Sequence, residues 1–405
     1  MSGRRRSSGN LGVNRESAGS PQAFFTNAAM MHTARGEFSI KILSGSAHPK
    51  LAELIAHKLG LPLSQVLCGQ FSNGETRVEI ANSCRGCDCY VIQPVCNTED
   101  GKKSVNDMLM EMLIMISALR GSSAERITAV MPIYGYARQD KKDKSRAAIS
   151  ARLVADLLCA AGCDRTMTVD LHASQIQGFF VKPCDNLYAE DLLCQHLKEL
   201  LSQYRKANDG AEVVVVSPDA GGAKRASRVA GKITDMLGKD CDCAIISKER
   251  LKANEVSSMR LVGSVKDSIC IIVDDMADTC GTLALAAKTL VDAGAVQVHA
   301  YIVHGVLSGP AIQRINDCQA LNSVVVTNTV PQSINKQNCS KLQVVDVSAL
   351  LAAAINCTHS DNSISALFRS PTLVGNPRPI AIPKFSLNNV DLCEYKDDPP
   401  NPETP

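Results

Sequence analysis

Apolar and polar positions along the chain follow two periods, and the period switches at regular intervals. Short continuous apolar runs, "SIKILSG", "CYVIQPV", "ITAVMPIY" and "TMTVDL", read as strands buried on both faces. Between them stand helical periods. In "PKLAELIAHKLG", Leu51, Leu54, Ile55 and Leu59 share one face and Gly60 supplies the stop. "VNDMLMEMLIMISALRG" and "AAISARLVADLLCAAG" predict two more helices. A second series runs through "EVVVVSPD", "AIISKE", "ICIIVDD", "VHAYIVHG" and "SVVVTNTV". Strand–helix alternation with apolar strands predicts an α/β fold with mainly parallel sheets flanked by helices. The two series read as two similar α/β domains, residues 38–187 and 188–371, and the last helix can pack back on the first domain.

Both ends break the pattern. Residues 1–37 are rich in Ser, Gly, Asn and Arg and residues 372–405 end "DDPPNPETP", so both read as flexible tails. The Arg- and Ser-rich start, poor in acids, also fits a transit peptide. A net charge of +2 over 405 residues gives no bulk attraction for nucleic acid or a membrane surface. No apolar run reaches the ~20 residues that span a bilayer. The 17 cysteines follow no framework spacing, and the C-x-C pairs at Cys87 and Cys241 lack a second half for zinc. That usage reads as a reducing, cytoplasmic compartment.

Charged residues gather where strands end, which is where open α/β sheets bind ligands. "VDDMADTCGT" (273–282) is strand, tight turn and helix start, so free amides and the helix dipole make it a phosphate cradle. Three acids, Asp274, Asp275 and Asp278, stand at its mouth. "SPDAGGAKRA" (217–226) repeats the strand-to-helix turn, with Asp219 placed for a divalent cation and Lys224 and Arg225 in the first helical turn. Cations there oppose the dipole, which favours anion binding over stability. "VDLHASQ" ends a strand with Asp170 and His172, a metal or phosphate contact. "YGYARQDKKDKSR" (134–146) carries charge for a polyphosphate, and its Arg138 suits stacking on a base. "KERLKANEV" (248–256) reads as a basic loop able to close over a reacting phosphate, or as a plain solvated loop. In "QFSNGETRVEI" (70–80), Phe71 beside Asn73 and Glu75 suits a purine, and a hairpin turn at a subunit surface explains it equally well.

Together with "DNLYAE" and "VVTNTVP", these blocks resemble the phosphate-activated class of ribose-phosphate pyrophosphokinases, the PRPP synthetases, over roughly residues 38–370. The resemblance implies two type I phosphoribosyltransferase-like domains, and dimers that assemble into hexamers, with related synthetase subunits as further partners. It implies transfer of the β,γ-diphosphoryl group of Mg²⁺-ATP to the 1-hydroxyl of ribose 5-phosphate. Thr279, Cys280, Gly281 and Thr282 would wrap the 5-phosphate, with Asp274, Asp275 and Asp278 toward the sugar and its metal. Phe71, Asn73 and Glu75 would reach the adenine of ATP on a neighbouring subunit, and Arg138, Gln139 and Asp143 would contact ATP in their own. His172, Asp219 and Asp170 would face the Mg²⁺–ATP assembly, and Lys248 and Arg250 would be the catalytic cations. Phosphate as activator and ADP as inhibitor would bind at Ser83, Arg85, Lys144, Ser145, Arg146, Ser174, Gln177, Asp185, Ser363, Ser365 and Phe368.

Three departures stand out. Val181 replaces a usual Asp and removes one divalent-ion contact; Ala148 replaces a usual Pro; residues 95–107 look longer than the family's loop. The rival reading is a non-catalytic, synthetase-associated regulatory subunit. Such members lose the ribose-phosphate loop, the loop cations or the ATP-site residues, and all three blocks are intact here. An ordinary phosphoribosyltransferase would need a base-specific hood, for which the chain offers no candidate.

Overall fold

The computed structural model describes residues 39–142, 144–207, 211–249 and 258–368. The first part opens with strand β1 (Ile40–Ser44), helix α1 (Pro49–Leu59) and the short β2 (Leu63–Ser64). A hairpin follows, β3 (Val66–Gln70) and β4 (Thr76–Ile80). Then come β5 (Asp88–Ile92), α2 (Val105–Gly121), β6 (Arg126–Met131), α3 (Ser150–Ala161), β7 (Arg165–Val169) and β8 (Cys184–Leu187). The second part contains α4 (Glu190–Ala207), β9 (Glu212–Ser217), α5 (Ala223–Leu237), β10 (Asp242–Glu249), β11 (Ser258–Val262), β12 (Ser268–Ala277) and α6 (Gly281–Asp292). It continues through β13 (Gln297–Gly305), α7 (Ala311–Asp317), β14 (Ser323–Thr327), α8 (Ser333–Asn338), β15 (Leu342–Val345) and α9 (Ser348–His359).

These strands form two large sheets, ordered β2-β1-β5-β6-β7-β8 and β11-β10-β9-β12-β13-β14-β15, and the hairpin stands apart as a two-stranded sheet. Every pairing in the first sheet is parallel, and in the second only β10–β11 is antiparallel. The strands read from apolar runs are all present. The periodicity gave no sign of β11, β2, β8 or β15, because short or edge strands carry too few apolar residues to show a period.

Local chemistry explains the boundaries. α1 ends at Gly60 with φ 70°, the left-handed cap that glycine takes at little cost. α2 starts on a reciprocal capping box between Ser104 and Asp107. Ile42, Tyr90 and Met167 of the first sheet share one core cluster with Val215, Ile271 and Tyr301 of the second. α9 belongs to that cluster on nearly all sides, with Leu350, Leu351, Ala353 and Ile355 buried. Its end is tied to the first sheet. Arg126 pairs with the buried Asp88 and donates to the Thr358 carbonyl at 3.1 Å, and His359 Nδ1 lies 2.8 Å from Asp88. The loop over residues 95–107 is also anchored: Lys103 reaches the fully buried Glu111 at 3.1 Å, and Glu99 accepts the Ile334 amide at 2.7 Å.

Candidate active site

The carboxyl ends of β7 and β12 meet in a cleft of about 720 Å³, within the rough 300–1,000 Å³ range of small-molecule sites. β12 is buried until its tip, where the acids begin. Alternation along a strand would send neighbouring side chains to opposite faces, yet both members of the acid pair reach the Arg225 guanidinium and differ chiefly in burial. Asp275 is 5 % exposed and accepts from His172 Nδ1 at 2.7 Å and from Arg225 at 3.2 Å. Asp274 is only half-buried and meets the same guanidinium at 3.3 Å. Both acids were expected to face sugar and metal; both line the cleft, and Asp275 is held there by the chain's own cations. Arg225, read as an anion binder, pairs with both of these acids.

These surroundings separate the two carboxyls. Burial, and then the charge of Asp275, push Asp274 up to about 7. Burial acts upward on Asp275 as well, but His172 and Arg225 overcome it and hold the group well below the usual carboxylate range. The Asp275 hydrogen bond raises His172 above its ordinary value against the opposing effect of burial. Asp274 is therefore the member of the pair that takes up a proton first as pH falls.

The turn after the acids has the predicted form. Cys280 takes φ 58°, a left-handed position uncommon outside glycine, and α6 starts directly after it. The first-turn amides have no intrahelical partner and open on the cleft beside exposed Thr279 and Thr282. Arg314 donates to the Thr279 carbonyl at 2.8 Å, a brace from α7 that the sequence offered no means of finding.

The other predicted residues fall into three groups. Arg138, Asp170, His172, Asp219 and Asp278 line the cleft with the acid pair and the turn. Arg138 pairs with Asp278 at 2.7 Å and so closes part of the mouth. Asp219 accepts the Gly222 amide at 3.1 Å. A Cβ at Gly222 would lie 2.6 Å from Ser217 Oγ, so the tight turn demands glycine. Asp170 lines the cleft wall but is 4 % exposed and accepts the Ala189 amide at 2.7 Å; burial pushes it up to about 6. Among the described residues no three acidic, His or Cys side chains converge as a ready metal cage. Lys141, Asp140 and Gln175 also line the cleft, with Gln175 donating to Asp140 at 3.1 Å.

A second group lies elsewhere in this chain. Gln139 bonds to Ser150 at the start of α3. Phe71, Asn73 and Glu75 form the hairpin tip, where Phe71 is 52 % exposed and Asn73 accepts the Glu75 amide. The residues of the implied regulatory site are spread over separate elements. Ser83 and Arg85 precede β5, Lys144, Ser145 and Arg146 precede α3, and Ser174, which does line the cleft, shares a 3-10 turn over Ser174–Phe179 with Gln177. Asp185 on β8 pairs with Arg165 at 2.6 Å, and Ser363, Ser365 and Phe368 follow α9. Val181 is 77 % exposed. The third group, Asp143 and Arg250 together with the side chains of Lys248 and Phe368, lies outside the described residues.

A parallel α/β sheet whose strand tip carries an acid pair and runs into an anion-cradling turn defines the phosphoribosyltransferase type of fold. The comparisons narrow that class. The family described as the N-terminal domain of ribose phosphate pyrophosphokinase matches residues 40–162, and the phosphoribosyl synthetase-associated domain matches residues 240–369. The chain is 52 % identical over 330 residues to ribose-phosphate pyrophosphokinase 2 of Schizosaccharomyces pombe, covering 82 % of this chain and 97 % of that one. The crystal structure of phosphoribosylpyrophosphate synthetase from Mycobacterium smegmatis superposes with a TM-score of 0.71 at 42 % identity, over 80 % of this chain and all of the other. The chain belongs to the ribose-phosphate pyrophosphokinase family.

Proposed function

We propose that the chain is a catalytic ribose-phosphate diphosphokinase, joining ATP and ribose 5-phosphate to give 5-phosphoribosyl 1-diphosphate and AMP. The observation that carries this reading is the convergence of the Asp274–Asp275 pair, the Thr279–Thr282 turn, Arg138, His172 and Asp219 on one cleft. The turn amides and Thr hydroxyls hold the 5-phosphate, and Asp274 and Asp278 accept from ribose hydroxyls. Arg138, Lys141 and His172 face the nucleotide phosphates. The sugar 1-hydroxyl forms a bond to the β-phosphorus, the bond from that phosphorus to the oxygen of AMP breaks, and the hydroxyl proton leaves. The protein positions both groups and neutralises charge.

The cation expected with ATP is Mg²⁺, which binds through one or two carboxylates plus substrate phosphates and keeps several waters. Asp219 at the cleft, with one oxygen on the Gly222 amide, fits that sparse demand, and Asp275 orients His172 in the same cleft. When bound, the ion supplies charge neutralisation on the diphosphoryl group. Asp170, tied to Ala189, shapes the cleft wall in this reading. Lys248 and Arg250 stabilise the transition state from their resemblance to the family's loop cations.

The hairpin tip with Phe71 reaches a neighbouring subunit, which requires a homo-oligomer of dimers, and phosphate acts as an activator at the subunit boundary. The domains divide near residue 188, between the two large sheets. Among the described residues no helix is long and apolar enough to cross a membrane, and the proposed location is cytoplasmic.

AMP release from ATP, measured with and without ribose 5-phosphate in the presence of Mg²⁺ and phosphate, tests the proposal. AMP that forms only with the sugar supports it, and none from folded protein overturns it. Lys248→Ala is expected to cut turnover by about 10²-fold, the scale of a lost transition-state donor; turnover near the parent value would remove that assignment.

A further inference from the structure

His304, near the end of β13, is 2 % exposed, and its ring joins the two sheets. Nε2 lies 3.0 Å from the Val169 carbonyl oxygen and 3.2 Å from that of Asp170. Nδ1 lies 2.8 Å from the Thr329 hydroxyl, which sits 3.0 Å from the Thr327 hydroxyl. Carbonyl oxygens only accept, so Nε2 carries the proton and Nδ1 accepts from Thr329. Burial lowers the pKa of the ring.

The two carbonyls belong to an unusual backbone. Asp170 has φ 42°, a left-handed conformation that costs an ordinary residue roughly 1–3 kcal/mol unless its surroundings enforce it. The enforcing contacts are Ala189 N–H to the Asp170 carboxylate, Leu171 N–H to Asn186 at 3.0 Å, and the His304 ring. This bend at the end of β7 directs His172 across the cleft to Asp275. On the opposite side, His304 pairs in register with Met276, the residue after Asp275. One imidazole therefore stands beside the acid strand and grips the strand tip that carries the acid's partner.

We propose that His304 is a positioning residue for the transfer reaction, a bracket that sets the spacing of the β7 and β12 tips and so holds His172 against Asp275. It touches no substrate, and it rests on the reading of this cleft as the active site.

The test compares His304→Ala, His304→Gln, His172→Ala and the double variant His304→Ala/His172→Ala in AMP formation. A displacement of about 1 Å at the reacting groups is worth roughly 10²-fold, so His304→Ala should lower kcat about 10- to 100-fold. Glutamine, which offers one donor and one acceptor along a similar reach, should recover most of that. In the His172→Ala background, removing His304 should cost nothing further, whereas multiplying losses would show a general structural role and overturn the proposal. Should the alanine variant fail to fold, ¹⁵N spectra of the ring in the unmodified enzyme decide the matter. An Nε2–H tautomer is expected, and an Nδ1–H tautomer overturns the bracket. Absence of AMP formation would remove the functional reading alone, because the ring spectra do not depend on turnover.

Discussion

Two adjacent carboxylates at a strand tip repel each other, and the protein resolves the conflict by unequal partnering. Asp275 takes His172 and shares Arg225, while Asp274 has the longer contact to Arg225 and accepts the Asp275 amide at 2.9 Å. This leaves Asp274 with a folded-state pKa of about 7, raised chiefly by burial. A raised carboxyl contributes its stability below the unfolded value near 4, and that contribution is lost as pH rises toward 7. Asp274→Asn should therefore stabilise the protein at pH 8. The gain accumulates by at most about 1.4 kcal/mol per pH unit between roughly 4 and 7, and is absent near pH 4. Thermal melts of both proteins across pH provide the check, and a pH-independent difference would contradict the assignment. Activity should move the other way, since the asparagine cannot accept from a ribose hydroxyl as a charged group does.

At the level of elements, helix α9 shows how a terminal segment is fastened to a distant sheet. Asp88 begins β5 and is 1 % exposed, yet it receives Arg126, His359 and the Tyr90 hydroxyl. Burial pushes its carboxyl upward, and the hydrogen bonds from His359 and Arg126 outweigh that and hold it below the ordinary value. A depressed carboxyl contributes stability above its unfolded value near 4, lost as pH falls through the folded value. Asp88→Asn should cost about 2–3 kcal/mol at pH 7, less than the roughly 3–5 of a fully enclosed pair because Arg126 is 29 % exposed. The loss should shrink below about pH 4. Amide hydrogen exchange would locate it: faster exchange in α9 is expected, and a loss of stability without any change there would refute the tie.

For the whole molecule, a shared core implies shared unfolding. Side chains of both large sheets belong to one buried cluster, so opening one sheet exposes apolar surface of the other. A single calorimetric transition is expected, and ribose 5-phosphate should shift it as a unit. At about 100-fold its Kd the sugar phosphate adds about 2.7 kcal/mol. Two separate transitions, or a melt indifferent to the sugar phosphate, would count against a common core or against the proposed use of the Thr279–Thr282 turn.

The residues by themselves determined the strand–helix alternation, the limits of α1 and α2, and the phosphate-cradling turn. These rest on local facts: apolar period, Gly60 at a helix end, and small residues after an acid-tipped strand. Membership of the family was legible for the same reason, since its blocks are contiguous. The pairing of Asp275 with His172, the brace from Arg314 and the grip of His304 on Val169 and Asp170 were not legible. Their partners lie 35 to 135 positions away in the chain, and no local preference encodes such a pairing. Only the approach of two sheets through a common core brings β7 to β12 and β13, and that approach decides which acids meet the solvent and which meet a cation.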